Sequence, residues 1–284
     1  AMTSLHMISS AIEAGDIEVG IAGGVEDMFT IPQGGFAPDF NVKLAEQDYY
    51  ISMGEGAELL ADELDISREE QEDFSFSSHD KAVAAREAGK FDNEIIPITL
   101  EDGTVIDKDS GPRTPNKEKI KSLNPAFRAD GTVTAATSSP FSIGASAMLI
   151  TSEKFANEHG LKISASIEGR AGAGVNWKMF GSGPVPATEK ALEKTGLSMD
   201  DIDAIELNEA FAAQALYCIK KANWDKNKVN LNGGAVAIGH PLGISGTRII
   251  TTLLNVLEQE DKSMGLATMC VGTGQGITTI IKRG

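Results

Sequence analysis

Only two cysteines, Cys218 and Cys270, occur in 284 residues. They allow at most one bridge and have no Cys-x-x-Cys spacing, which excludes a disulfide scaffold and favours a reducing compartment. Basic residues are also scarce, 25 against 41 acidic ones, and the formal charge of -16 argues against an electrostatic nucleic-acid binder. No apolar run approaches the roughly 18 residues of a membrane-spanning helix. The sequence does not open with a basic stretch followed by an apolar one and a small-residue cleavage site, so the expected location is the cytoplasm. With 41% hydrophobic and 23% charged residues and 30 glycines, the chain has the composition of a globular protein with a real core, in one large domain or two.

Leu5, Ile8 and Ile12 recur at helical spacing from Met2 to Ala14, and Gly15-Asp16 stops that helix before the strand-like Val19–Ala22. From Ile31 to Asn41 the chain is rich in Pro and Gly, and an acidic helical stretch follows. Ser67-Arg68-Glu69-Glu70 reads as a capping box opening a helix that runs to Gly89. Residues 30–130 read as an insertion with short strands and a solvated, charged face. Strands are then expected at Thr132–Thr134 and Met148–Ile150, around a small-residue helix near Gly144–Ala147. A helix at Glu153–Glu158, a strand at Lys162–Glu168, a helix at Ala187–Lys194, a helix start at Ser198 and a strand at Ala204–Leu207 follow. The tail reads as helix Thr247–Leu257, strand Leu266–Met269, a Gly turn and strand Ile277–Ile281. Helices alternating with apolar strands predict a layered α/β architecture. The opening helix–strand–Gly turn matches the tail unit, except that the tail helix follows the Gly-rich segment Gly239–Gly246 and nothing precedes the opening one.

Three segments concentrate reactive side chains on turns after strands, where open α/β sheets place their sites. Asn208-Glu209-Ala210-Phe211 follows a strand and is expected to open a helix, where an amide and free N–H groups can bind an anion or water; a plain N-cap is the alternative. His240 lies in a Gly turn. Cys270 stands at a strand end before Gly272, Gly274 and Gly276, whose N–H groups can form an oxyanion hole. Cys218, inside a helix, reads as an inert core thiol.

Together these segments resemble the thiolase family, through Asn208-Glu209-Ala210-Phe211-Ala212, Gly233 to Pro241, and Cys270-Val271-Gly272-Thr273-Gly274. Further matches are Ala22–Glu26, Met53-Gly54, Asp109 with Arg113, Asn124–Phe127, Gly131–Ala135 and Gly183–Ala187. The resemblance implies two similar α/β halves and a loop domain that covers coenzyme A. The corresponding division is 1–29 (remnant of the first half), 30–130 (inserted loop domain), 131–158 (end of the first half) and 159–284 (second half). It also implies an acyl-CoA:acetyl-CoA C-acyltransferase that uses Claisen chemistry on 3-ketoacyl-CoA, with CoA and acetyl-CoA as substrates and no resident cofactor or metal. Cys270 would be the acid/base thiol, and His240 would activate the nucleophile. Asn208 would hold a water against the thioester oxygen, and the Gly272 N–H would line a second oxyanion hole. Met53, Arg113, Phe127, Ala135, Ser139 and Phe211 fall where the family contacts CoA.

The departures from the family pattern carry information too. The family's nucleophilic Cys sits in a Cys-x-Ser-Gly turn directly before the helix that here begins at Met2, and neither cysteine of this sequence matches it. The segment Ala136–Ile143 and Ser52 resemble the fatty-acid-degradation branch, whereas Asn208 is typical of most thiolases. The expectation is a thiolase lacking its nucleophile and inactive as this chain, forming homodimers or homotetramers. A non-catalytic CoA binder is one alternative. The other is one subunit of a split enzyme whose partner chain supplies the missing segment.

Overall fold

The computed structural model describes residues 1–31, 35 and 37–284. Helix α1 (Met2–Ala14) buries Met2, Leu5 and Ser9 and ends at a left-handed Gly15, φ 80°, as its Gly-Asp pair predicts. Strand β1 (Val19–Asp27) leads into α2 (Val42–Ala45), α3 (Met53–Glu63) and α4 (Arg68–Glu87). Both longer helices begin with reciprocal caps, Ser52 with Glu55 and Ser67 with Glu70, each satisfying otherwise orphaned N–H groups. Two-residue strands β2 (Ile98–Thr99) and β3 (Val105–Ile106) and helix α5 (Lys117–Lys121) complete this excursion. The chain then returns as β4 (Ile143–Thr151), antiparallel to β1, with Val19 opposite Thr151 and Asp27 opposite Ile143.

The excursion shares its interior with the rest of the chain. Ala57, Leu60, Ala61 and Ile66 pack in one apolar cluster with Val133, Phe180, Phe211 and Cys270.

The second half runs α6 (Glu153–Glu158), β5 (Ala165–Gly174), α7 (Pro184–Thr195), β6 (Ala204–Leu207), α8 (Ala212–Lys221), α9 (Ala235–Ile238), α10 (Ser245–Gln259), β7 (Met264–Val271) and β8 (Gln275–Arg283). Its four-stranded sheet has the order β5-β8-β7-β6, with β6 and β7 parallel and the other pairs antiparallel. Alternation along β7 sends Leu266 and Cys270 into the cluster just described, and Ala267 and Met269 into a second one with α1 and α10. Met2 and Leu5 of α1 meet Ile249, Ile250 and Leu253 of α10 in that second cluster. The result is the layered α/β arrangement expected from the sequence.

Three local expectations are corrected. Gly144–Ala147 is not a helix but part of β4, because its small residues lie opposite Gly23–Glu26 of β1. A Cβ on Gly23 would stand 2.5 Å from the Ser146 carbonyl oxygen, so the two strands meet where side chains are smallest. Thr132–Thr134 forms no strand. The N–H groups of Thr132 and Val133 donate to the buried Glu58 carboxylate at 2.9 and 3.0 Å instead of to a neighbouring strand, and the chain turns at once into a 3-10 helix at Ala135–Thr137. Ser198 likewise opens only the three-residue 3-10 turn Met199–Asp201.

Candidate active site

The parallel pairing of β6 with β7 brings both C-terminal ends to one edge of the sheet. Leu207 pairs with Thr268, and the Asn208 N–H donates to the Thr268 carbonyl at 3.0 Å, two residues before Cys270. Helix α10 returns through a short turn into β7, so its N-terminus and the preceding His240 loop lie at that same edge. Asn208, His240 and Cys270 therefore emerge at one end of the sheet.

Asn208 is fully buried, and neither its Oδ1 nor its Nδ2 has a protein partner. A sealed amide with donor and acceptor both unused is costly unless water or a ligand completes it. It is not the expected N-cap: α8 begins only at Ala212, and its N-cap is Phe211, which is extended (φ -143°, ψ 147°). The extension is held by an antiparallel bridge between Phe211 and Ser138, with the Ser139 N–H donating to the Ala210 carbonyl at 3.0 Å.

Glu209 has a different task from its neighbour. Its buried carboxylate accepts from Ser78 Oγ (2.7 Å), Asn230 Nδ2 (2.7 Å) and the Val236 N–H (3.1 Å), tying α4, the Asn230 turn and the start of α9 together. Gly234 packs directly on that carboxylate, where any side chain would collide. The latch fixes α9, which leads through Gly239 to His240. In the sequence Glu209 reads only as a first-turn acid; the adjacent Gly233-Gly234 pair is the one local sign that a group lies against that backbone.

His240 is buried, with Nδ1 2.6 Å from Ser245 Oγ, and that hydroxyl donates to the Pro241 carbonyl at 2.9 Å. Since the hydroxyl has one proton and spends it on Pro241, these hydrogen bonds assign the imidazole hydrogen to Nδ1 and leave Nε2 as the basic nitrogen. Burial, reinforced by the Arg248 charge, lowers the ring's pKa to about 4, so it is neutral near pH 7. Several elements hold the loop. Glu26 of β1 accepts the Gly243 N–H at 2.9 Å, Gly24 abuts the Gly243 carbonyl, and the Ala1 amino group donates to that carbonyl at 3.2 Å. Gly246 packs on the Met2 backbone, so the N-terminus of α1 sits against the His240 loop.

Burial pushes the Cys270 thiol up to about 12, which keeps it protonated at neutral pH. Of the three glycines after it, two are committed to packing. Gly276 lies against Gly183 at the start of α7, and Gly274 (φ 89°) against Val175 and Trp177, with its carbonyl accepting the Val175 N–H at 2.8 Å. Gly272 alone has open space around it. Cys218 Sγ instead donates to the Gly181 carbonyl at 3.2 Å inside the core, and burial raises its pKa as well.

The remaining candidates form two adjoining groups. Phe127 stacks edge-on against Phe211, with ring centroids 5.8 Å apart, and Gly54, next to Met53, packs directly on the Phe127 ring. Ser139 joins this group through its hydrogen bond to Ala210. Arg113 and Ala135 line a separate polar groove of about 310 Å³ with His79, Asn116 and Lys119. The 3-10 turn and the short extended segment between Ala135 and Ser139 connect groove and aromatic pair. Nδ1 of His79 is buried with no partner among the described residues, and a lone His on an amphipathic helix carries no distinguishing mark in the sequence.

Comparison with known proteins supplies the context for this geometry. The description "Thiolase, N-terminal domain" matches residues 1–154 and "Thiolase, C-terminal domain" residues 161–283. A 3-ketoacyl-CoA thiolase of Vibrio parahaemolyticus is 49% identical over the whole chain, which covers 75% of that relative. Human mitochondrial 3-ketoacyl-CoA thiolase superposes with a TM-score of 0.92 at 36% identity, over 99% of this chain and 75% of the other. The dimeric peroxisomal thiolase of Saccharomyces cerevisiae gives a TM-score of 0.92 at 39% identity, over 100% and 74%. In sequence and in fold, this chain belongs to the thiolase family.

Proposed function

We propose that the residues at this sheet edge carry the proton transfers and oxyanion contacts of thiolase acyl transfer between 3-ketoacyl-CoA and CoA. The observation that carries the reading is the Asn208 amide, sealed and unpartnered at the edge where His240 and Cys270 also emerge. In the thiolytic direction a nucleophilic thiol gives its proton to His240 Nε2 and attacks the 3-keto carbon, and the Gly272 N–H receives the resulting oxyanion. The C–C bond then breaks and its electron pair moves toward the thioester. A water on Asn208, together with the newly protonated Nε2, holds the thioester oxygen. Cys270, protonated at the outset, gives its proton to the α-carbon. The resulting thiolate takes the proton of incoming CoA, which attacks the acyl-enzyme; the nucleophile leaves as a thiolate, takes its proton back from His240 Nε2, and the shortened acyl-CoA is released.

The nucleophile is assigned to a turn directly preceding α1. The contact of Met2 with Gly246 supports this, because it places that turn beside the His240 loop. Cys218 is unsuited, being hydrogen-bonded inside the core. The aromatic pair Phe127–Phe211 with Met53 and Ser139 is read as the pantetheine cradle, and the groove at Arg113 and Ala135 as the seat of the nucleotide end. We keep the division 1–29, 30–130, 131–158 and 159–284, with residues 30–130 as the CoA-covering part. Two buried free cysteines favour the cytoplasm, and the apolar outer face of β1 and β4 favours a homo-oligomer.

Acetoacetyl-CoA thiolysis is the test. The chain alone is expected to be inactive, and the chain extended by a segment ending in a Cys-x-Ser-Gly turn is expected to turn over. Turnover by the chain alone overturns the nucleophile assignment. A second reading, CoA binding without chemistry, is favoured by the cradle lying wholly within this chain. Calorimetric binding of CoA by a chain that stays inactive after extension would decide for it.

A further inference from the structure

Four aromatic rings that take no part in the steps above form a row. Phe40, Tyr50, Tyr49 and Trp177 follow one another with ring centroids 4.7, 5.6 and 5.9 Å apart. Phe40 is 59% exposed, and Val42 beside it in the chain 70%. Trp177 is half-buried with its Nε1 sealed from solvent, so the part of its indole that meets water is carbon. The Tyr50 hydroxyl is engaged locally, accepting the Asn41 N–H at 3.0 Å. Lys178 and Asp48 pair at 2.7 Å, so the charges next to Trp177 and Tyr49 offset each other.

The row lies between the two parts of the site. On one side, the Trp177 backbone packs on Gly274, and the Val175 N–H donates to the Gly274 carbonyl at 2.8 Å. Gly272 is two residues from that contact, a span of at most about 7 Å. On the other side, Tyr49 and Tyr50 shortly precede Met53, whose neighbour Gly54 packs on the Phe127 ring. Gly56, one turn into α3, packs on the Phe180 ring and the Lys178 carbonyl of the 3-10 turn Trp177–Ser182, which fastens the two sides together.

We infer that Phe40, Tyr50, Tyr49 and Trp177 form the subsite for the tail of the 3-ketoacyl group, and that its occupant is an aliphatic chain rather than the single methyl of an acetoacetyl group. In a 3-ketoacyl thioester the tail is bonded directly to C3, the carbon whose oxygen is assigned to the Gly272 N–H. A chain leaving C3 away from the thioester therefore starts beside the turn that bears Trp177. Each methylene fully covered by apolar surface is worth about fourfold in affinity. A methyl group is too short to collect that gain along the row.

The inference rests on the site assigned above, and its test reads binding instead of turnover. Kd values of acetoacetyl-CoA and 3-ketodecanoyl-CoA, without free CoA, are measured for the unaltered chain, Trp177→Ala and Tyr49→Ala. The longer thioester is expected to bind about tenfold tighter or more, and each substitution to cut that ratio by about fivefold. The chain has two tryptophans, and the emission change caused by 3-ketodecanoyl-CoA is expected to vanish in Trp177→Phe. Equal affinity for the two thioesters overturns the inference and leaves the cradle standing. A ratio that survives the substitutions also overturns it, and if they dissociate an oligomer in sedimentation instead, the row is a contact between copies of this chain. Should Trp177→Ala fail to fold, Tyr49→Ala and the emission of Trp177→Phe decide in the same way. Failure to bind either thioester overturns the cradle and the inference together, so the two failures are told apart.

Discussion

The molecule contains the same local unit twice, and the two copies meet different surroundings. In one, α1 precedes β1, which pairs with β4; in the other, α10 precedes β7, which pairs with β8. The second strand pair is buried on both faces through most of its length, its threonines Thr268, Thr278 and Thr279 as fully as its aliphatic residues. The first is covered on one face only, leaving Ile21 69%, Val25 77%, Ile143 64% and Leu149 54% exposed. Titratable groups with large shifts occur in both units: Cys270 on β7 is raised to about 12 and His6 on α1 is lowered to about 4, each chiefly by burial. Burial gives a thiol or an imidazole a pKa far from its ordinary one whichever strand pair lies beside it.

The sharpest test of this contrast is chemical, in the enzyme completed by its nucleophile segment. His240→Ala removes the base and one oxyanion donor, so acylation is expected to slow by about 10²- to 10³-fold. With acetyl-CoA as the acyl donor in both variants, Cys270→Ala leaves acylation largely in place while suppressing the later proton transfer at the α-carbon. Rapid-quench mass spectrometry should therefore find trapped acyl-enzyme in the second variant and little in the first. The same acyl-enzyme burst in both would break the division of labour.

A stability comparison comes next. Ile280→Ala in β8, where the side chain is fully buried, is expected to cost about 2–5 kcal/mol. Ile21→Ala on the open face of β1 should stay within about 0.5 kcal/mol. Urea melts of both variants check this, and a large loss for Ile21→Ala would mean that the first hairpin is also covered in solution.

The smallest expected effect is on the pH dependence of stability. His6, His79 and His240 are lowered by burial to about 4, so between pH 6.5 and 4 the unfolded chain binds protons that the folded chain refuses, and stability falls as pH drops. Glu206, raised to about 8, works in the opposite sense: its contribution is full below its unfolded pKa and is lost as pH rises through 8. Stability should peak near pH 6.5, and Glu206→Gln should flatten the alkaline side. An alkaline limb unchanged by Glu206→Gln would remove Glu206 from this account.

Features whose partners are close in sequence were legible before the fold was known. Helices α1 and α6 and strand β6 lie where spacing and stop signals place them, and the Ser67–Glu70 cap is set by residues three apart. Strand Gly144–Ala147 was not legible, because small residues favour no element until Gly23 and Gly24 lie opposite them. Extended but unpaired Thr132–Thr134 depends on Glu58, far back in the chain. At the site, the motifs indicate which residues cluster, but the Glu209 latch draws on α4, the Asn230 turn and α9 together. No local pattern encodes such meetings.

The pairing of β1 with β4 also sets a schedule for the newborn chain. Asp27 is synthesised long before its partner Ile143, and at about 5–20 residues per second the wait is on the order of ten seconds. During that interval the edge of β1 that β4 later takes is unpaired, which is the kind of surface that a second nascent chain or a holdase captures. Biogenesis of this protein is thus exposed at β1, whose mature partner is made only after the whole excursion.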